Sequence, residues 1–132
     1  MRNLVEVVLV VQDIERSLDF YGRVLGLELI SPTALPVKFL RIGPPGPDVP
    51  QQVVLVPAGL AGGAPGAERK RVLHHIGLSV APEDYAAERA RLVAAGFSIR
   101  GGEHPFLPVE AFYLDDPDGN EVEIATWRGQ DA

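Results

Sequence analysis

One succession of elements is written into this chain twice, and that repetition restricts the fold more than any other feature. In the first half, 4–11 is a nearly continuous aliphatic run, the pattern of a strand covered on both faces, with Glu6 as its one charged residue. Asp13 is placed as the N-cap of a helix over 14–24 and Gly26 as its stop. Ile14, Leu18, Tyr21 and Leu25 recur at helical spacing as its buried stripe. Strands follow at 27–30, 36–42 and 51–56, separated by Ser31-Pro32 and by the Gly- and Pro-rich turn at 43–48. In the second half, a strand at 73–80 leads to a helix with Pro82 in its first turn, ending near Ala95 ahead of Gly96. Strands at 97–100, 109–114 and 121–127 complete it, the last two joined by the turn Asp116-Pro117-Asp118-Gly119. Residues 57–71, rich in Ala, Gly and Pro, read as a flexible linker.

An offset of 69 places carries Glu6 onto His75, Val11 onto Val80 and Val54 onto Glu123, while the helix stops Gly26 and Gly96 differ by 70. Two βαβββ modules, about 3–56 and 72–127, within one domain of 132 residues are the simplest account.

Strand alternation then singles out two residues. In His75-Ile76-Gly77-Leu78-Ser79-Val80, the residues Ile76, Leu78 and Val80 share one face, and His75, Gly77 and Ser79 the other. In the closing strand Val122 and Ile124 oppose Glu121, Glu123 and Ala125. If the two strands share a sheet, an imidazole and a carboxylate lie on a face otherwise lined by small residues. That arrangement serves a metal or substrate site, and a pair of solvated polar residues has the same pattern.

Composition removes several function classes. With 46% hydrophobic and 23% charged residues the chain has the make-up of an ordinary soluble globular protein. A net charge of −6 argues against non-specific binding to nucleic acid or an anionic membrane, and the basic cluster Arg69-Lys70-Arg71 reads as a solvated turn. There are no cysteines, so a metal would have to use His, Asp, Glu or water. The longest apolar run, 7–11, is too short to span a bilayer, and no cationic leader precedes it; the expectation is a cytoplasmic protein. No nucleophile motif, phosphate-binding Gly loop or nucleic-acid module is present.

Three stretches together resemble the vicinal oxygen chelate superfamily, which includes glyoxalase I, extradiol ring-cleavage dioxygenases, methylmalonyl-CoA epimerase, fosfomycin resistance enzymes and bleomycin resistance proteins. The run from Val11 to Tyr21 with Val24-Leu25-Gly26-Leu27 is similar to the opening of its first module. The run from His75 to Val80 is similar to the opening of the second, and the run from Asp116 to Glu123 to its closing turn and strand. The resemblance covers about residues 3–127. It implies an α+β fold in which the two βαβββ modules form a cupped mixed sheet with helices on the outer faces. It also implies a divalent metal in the cup, with ligands at positions 6, 54, 75 and 123. His75 and Glu123 match common family ligands. Glu6 stands where a His is more usual but can still ligate, and Val54 has no donor, although Gln52 lies on its strand face.

The resemblance therefore implies a metal set of Glu6, His75 and Glu123 with open positions for substrate, and two carboxylates with one imidazole favour Fe²⁺, Mn²⁺ or similar ions. Extradiol dioxygenases place two His and one carboxylate at these three positions. Glu6 or Glu123 is alternatively the proton-transfer base, because a desolvated carboxylate holds its proton more tightly. An ionised Glu6 half-buried in an aliphatic strand would have to pair or take up a proton. Two functions follow from the resemblance. One is a metal-dependent enzyme, a ring-cleaving dioxygenase or a lyase or isomerase, acting on a small molecule held through adjacent oxygens. The other is a metal-free protein that sequesters a small molecule, as the bleomycin resistance members do. The family also implies a homodimer. His74 is expected on the face opposite His75, His104 in an exposed loop, and Phe39, Phe112, Tyr113 and Trp127 in core or pocket walls.

Overall fold

The computed structural model describes residues 3–47, 49–60 and 73–129. The chain divides into two compact units, residues 1–69 and 70–132. Most of the expected linker, with Arg69-Lys70-Arg71, lies outside the described residues.

In the first unit β1 (Glu6–Val11) is followed by α1 (Ile14–Leu18), β2 (Glu28–Leu29), β3 (Lys38–Arg41) and β4 (Gln52–Pro57). The sheet order is β1-β4-β3-β2, with β1 and β4 parallel and the other pairs antiparallel. In the second unit β5 (His75–Ser79), α2 (Tyr85–Ala94), β6 (Arg100–Glu103), β7 (Val109–Asp115) and β8 (Glu121–Trp127) repeat that order. The sheet runs β5-β8-β7-β6, with β5 and β8 parallel. Two βαβββ modules of mixed sheet and helix make this the α+β fold that the sequence implies.

The registers repeat as well. Glu6 pairs with Gln52 and Val8 with Val54 across β1 and β4; His75 pairs with Glu121 and Gly77 with Glu123 across β5 and β8. The offset of 69 read from the sequence therefore holds residue by residue in both strand pairs.

The first helix departs from expectation. Asp13 caps it as expected, accepting from the Arg16 amide at 3.1 Å. After Leu18, however, the backbone continues as a π-helix over Asp19–Val24, closed by a Leu25 N–H to Phe20 carbonyl bond of 2.9 Å. Widening each turn to i→i+5 changes which side chains come round to the sheet. The buried residues are Ser17, Phe20, Tyr21 and Val24, so of the expected stripe only Tyr21 is fully buried. Gly26 ends the segment at φ 79° and Gly96 ends the second helix at φ 93°, conformations that glycine adopts without penalty. Pro82 lies in the turn before α2 rather than in its first helical turn, because Asp84 takes the N-cap position.

In the second unit Ile76, Val122, Ile124, Phe112 and Leu114 pack on one face of the sheet, and Tyr85 and Leu92 are the buried residues of α2. Each such burial contributes about 1.5–3 kcal/mol. That side carries the stability and leaves the other free for polar residues. Strand β1 keeps the same division, with Leu9 and Val11 buried while Glu6 and Val8 are exposed. The expectation that both faces of β1 are covered is thereby corrected: it is an edge strand with one open face.

Candidate functional site

The exposed face of the second sheet is built around two adjacent strands. Side chains on β5 and β8 that occupy the same register point the same way, so His75, Gly77, Glu121 and Glu123 share this face. His75 Nε2 lies 3.1 Å from Glu123 Oε2. The contact runs diagonally across the pair and passes over Gly77, where a Cβ would sit in ordinary contact, 3.6 Å from the same carboxylate oxygen. The carboxylate is largely shielded, at 15% side-chain exposure, and the imidazole is more open, at 36%.

Strand β7 adds Tyr113, the register partner of Glu123. Its ring meets His75 edge-on, with centroids 6.0 Å apart and planes at 84°. Burial pushes the Tyr113 hydroxyl above the usual phenol range, and the charges of Glu123 and Glu121 push it further in the same direction. The phenol therefore stays protonated at neutral pH and donates to the Glu123 carboxylate. Gly102 on β6 supplies the space for its ring, since a Cβ there would lie only 2.4 Å from Tyr113 Cε2. On the flank, Arg100 binds Asp115 at 2.6 Å and approaches Glu121 at 3.9 Å.

In the first unit the equivalent positions hold Glu6, Val8, Gln52 and Val54, with Phe39 paired to Val54 where Tyr113 pairs with Glu123. Gln52 Nε2 donates to Glu6 Oε2 at 3.3 Å. Glu6 is exposed, and the desolvation cost that argued for a special role does not arise.

Residues 3–124 match the family model of the Glyoxalase/Bleomycin resistance protein/Dioxygenase superfamily. The chain belongs to this superfamily. A curated relative, the catechol-2,3-dioxygenase of Bacillus subtilis (strain 168), is 28% identical over 131 residues, covering 91% of this chain and 42% of the relative. The chain thus spans less than half the length of that relative. Among solved structures, a glyoxalase/dioxygenase from Nostoc punctiforme superposes with a TM-score of 0.70 at 22% identity, over 97% of this chain and 92% of that one. A lactoylglutathione lyase from Agrobacterium tumefaciens superposes with a TM-score of 0.69 at 19% identity, over 96% and 94%. At these identities the two structures establish the shared fold.

As a member of this superfamily the chain brings His75 and Glu123 together, and holds Glu6 with Gln52 in the other unit. Within either unit taken alone, no three of the described His, Asp or Glu side chains gather into a group that would hold an ion. His74 does not follow the alternation expected of it. It precedes β5, so the strand does not fix its direction, and its Nδ1 lies 2.7 Å from His75 Nδ1. One of these two nitrogens must carry the hydrogen and the other accept it, so neutral His74 and His75 hold opposite tautomers. His104 accepts from the amides of Phe106 and Leu107, at 3.2 and 2.9 Å, and braces its loop. Tyr113 is the site residue that sequence reasoning placed only in a wall. Counting back from the turn at 116–119 along the hairpin would have set it opposite Glu123.

Proposed function

We propose that this superfamily member is a metal-dependent enzyme acting on a small substrate bound through adjacent oxygens, of the ring-cleaving dioxygenase or the lyase/isomerase type. The observation that supports this reading is the His75–Glu123 pair. Bonds of about 2.0–2.2 Å from one ion to an imidazole nitrogen and a carboxylate oxygen, meeting near a right angle, put the donors roughly 3 Å apart. The 3.1 Å between His75 Nε2 and Glu123 Oε2 fits that span with little rearrangement. His75 and Glu123 would hold the ion, Fe²⁺, Mn²⁺ or similar; Glu6, the third ligand that the family resemblance implies, is tested by substitution. The bound ion would act as a Lewis acid toward the substrate oxygens. Tyr113, held protonated and donating to Glu123, would fix the orientation of that carboxylate. A catechol is the first substrate class to test, because the curated relative is a catechol-2,3-dioxygenase.

The test is elemental analysis of protein purified without chelators, followed by loading with Fe²⁺ or Mn²⁺ and assay on a catechol and on a hemithioacetal. Stoichiometric metal in the wild type, lost in both His75→Ala and Glu123→Ala and weakened in Glu6→Gln, is the expected result. Absence of binding for Fe²⁺, Mn²⁺, Ni²⁺ and Zn²⁺ would overturn the enzyme reading and leave the metal-free sequestering function, which the donorless, buried Val54 favours.

A further inference from the structure

On the opposite side of the second sheet from His75, a groove of about 950 Å³ opens between α2 and the β6–β7 edge. Its origin is in the sequence. The helix wall presents Ala86 and Ala90, whose side chains are short, and the strand wall presents Gly101, which has none, so the gap between them is left open. A Cβ at Gly101 would meet nothing within 4 Å. The floor is aromatic, with the rings of Tyr85 and Phe112 tilted at 53° and 5.4 Å apart.

The polar groups here are unequally satisfied. Arg128 is committed: its Nε binds Glu110 at 2.8 Å and its guanidinium covers the Tyr85 ring at 5.3 Å. Arg89, one turn along α2 from Tyr85 and on the same face, has no ion pair among the described residues. Tyr85 is only 4% exposed as a residue, but no buried side-chain oxygen or nitrogen among the described residues lacks a partner, so its hydroxyl, which makes no protein hydrogen bond there, opens onto the groove. Burial raises the Tyr85 pKa, as does the Glu110 charge, while the charges of Arg89 and Arg128 lower it, and the net rise keeps the hydroxyl a donor.

We propose that this groove is a second binding site, for a small monocarboxylic acid with a flat apolar body. The carboxylate takes the free charge of Arg89 and the Tyr85 hydroxyl, a charge-assisted set that satisfies both groups. The apolar body lies on Phe112 and along the bare backbone of Gly101 and Gly102. Glu103 at the mouth, and Glu110 beside Arg128, disfavour a dianion. The site shares no side chain with His75 and Glu123, so it stands apart from the metal reading.

The experiment is an amide NMR titration of the metal-free full chain with 3-phenylpropionate, and with 3-phenylpropanamide as the uncharged match. Saturable shifts at Arg89, Gly101, Gly102 and Glu110 are expected from the acid, with the amide binding at least tenfold more weakly. Arg89→Gln should abolish saturation, and Tyr85→Phe should weaken the acid severalfold while leaving the spectrum of β5 and β8 unchanged. Equal binding of acid and amide, or no saturable shift in the groove at millimolar acid, would overturn the proposal. So would an Arg89→Gln variant that retains the wild-type fold and still binds the acid as the wild type does.

Discussion

The Gly102 substitution tests how tightly the site is tied to its scaffold. An alanine Cβ at position 102 would stand 2.4 Å from Tyr113 Cε2, 3.2 Å from Cζ and 3.3 Å from the hydroxyl. Unstrained carbon contacts begin at about 3.5 Å, so the ring has to withdraw by roughly 1 Å or the strand has to move. Gly102 has no positive φ, so the backbone itself accepts alanine. Relieving the clash by rotating Tyr113 off its rotamer costs about 0.5–1.5 kcal/mol, and overpacking of this kind costs about 1–3 kcal/mol. Removing a glycine's freedom in the unfolded chain returns about 0.4–1 kcal/mol. The clash wins, and Gly102→Ala should be destabilised by about 1 kcal/mol, a few degrees in melting temperature. Its larger effect is on the site, because the displaced ring leaves the edge of His75 and the shielded place beside Glu123. Spectrophotometric titration should show the Tyr113 midpoint falling toward that of free tyrosine, and the His75 ring resonances should move. A variant as stable as the wild type, with both signals unchanged, would refute the reasoning.

Four further outcomes follow from the geometry. Glu123→Gln should lower the Tyr113 midpoint part of the way, since burial is the larger cause and the Glu123 charge the next. The sign also fixes the alkaline behaviour. Above about pH 10 the unfolded chain loses a phenolic proton that the native state keeps, so stability falls as pH rises there; Tyr113→Phe should flatten that slope in denaturant melts, with Tyr85 supplying the remainder. Asp116→Ala should cost about 2–3 kcal/mol, because this buried carboxylate accepts from the Asp118 and Asn120 amides and from Asn120 Nδ2, at 2.9, 2.7 and 2.8 Å. Asp116→Asn should recover part of that loss. Finally, long-range proton–nitrogen spectra of the metal-free protein should show opposite tautomers for neutral His74 and His75, one carrying Nδ1–H and the other Nε2–H, with His74 reverting in His75→Ala to the mixture of an exposed imidazole; mixed tautomers for both in the wild type would contradict the 2.7 Å contact.

Much of this was legible in the sequence wherever a strand has one buried face. Alternation alone separates His75 and Gly77 from Ile76 and Leu78, and the closing strand was read with its ends at Glu121 and Trp127, as found. Where side-chain period does not control the backbone, the reading slipped. The π-helical turn at 19–24 buries Phe20 and Tyr21 side by side, which a stripe of Ile14, Leu18, Tyr21 and Leu25 does not disclose. β6 begins at Arg100 rather than 97, since two glycines with no strand propensity are recruited by pairing with Phe112 and Ala111. His74 escaped because a residue just outside a strand is free to turn. The pairing of Tyr113 with Glu123 depends on hairpin register, which becomes readable only once the tight turn at Asp116–Gly119 is used as its origin.

The duplicated register has a consequence for how such a protein changes over generations. In β5 and β8 the residues that carry chemistry and those that carry stability are interleaved one by one, yet they face opposite ways. A lineage can therefore rewrite the first set while the second keeps the module folded. The first unit is the same scaffold with another text: Glu6 for His75, Val8 for Gly77, Val54 for Glu123. Of these three positions in the first unit, Glu6 and Val8 are exposed and can change without touching its core, whereas Val54 is buried and ties the remaining position to packing.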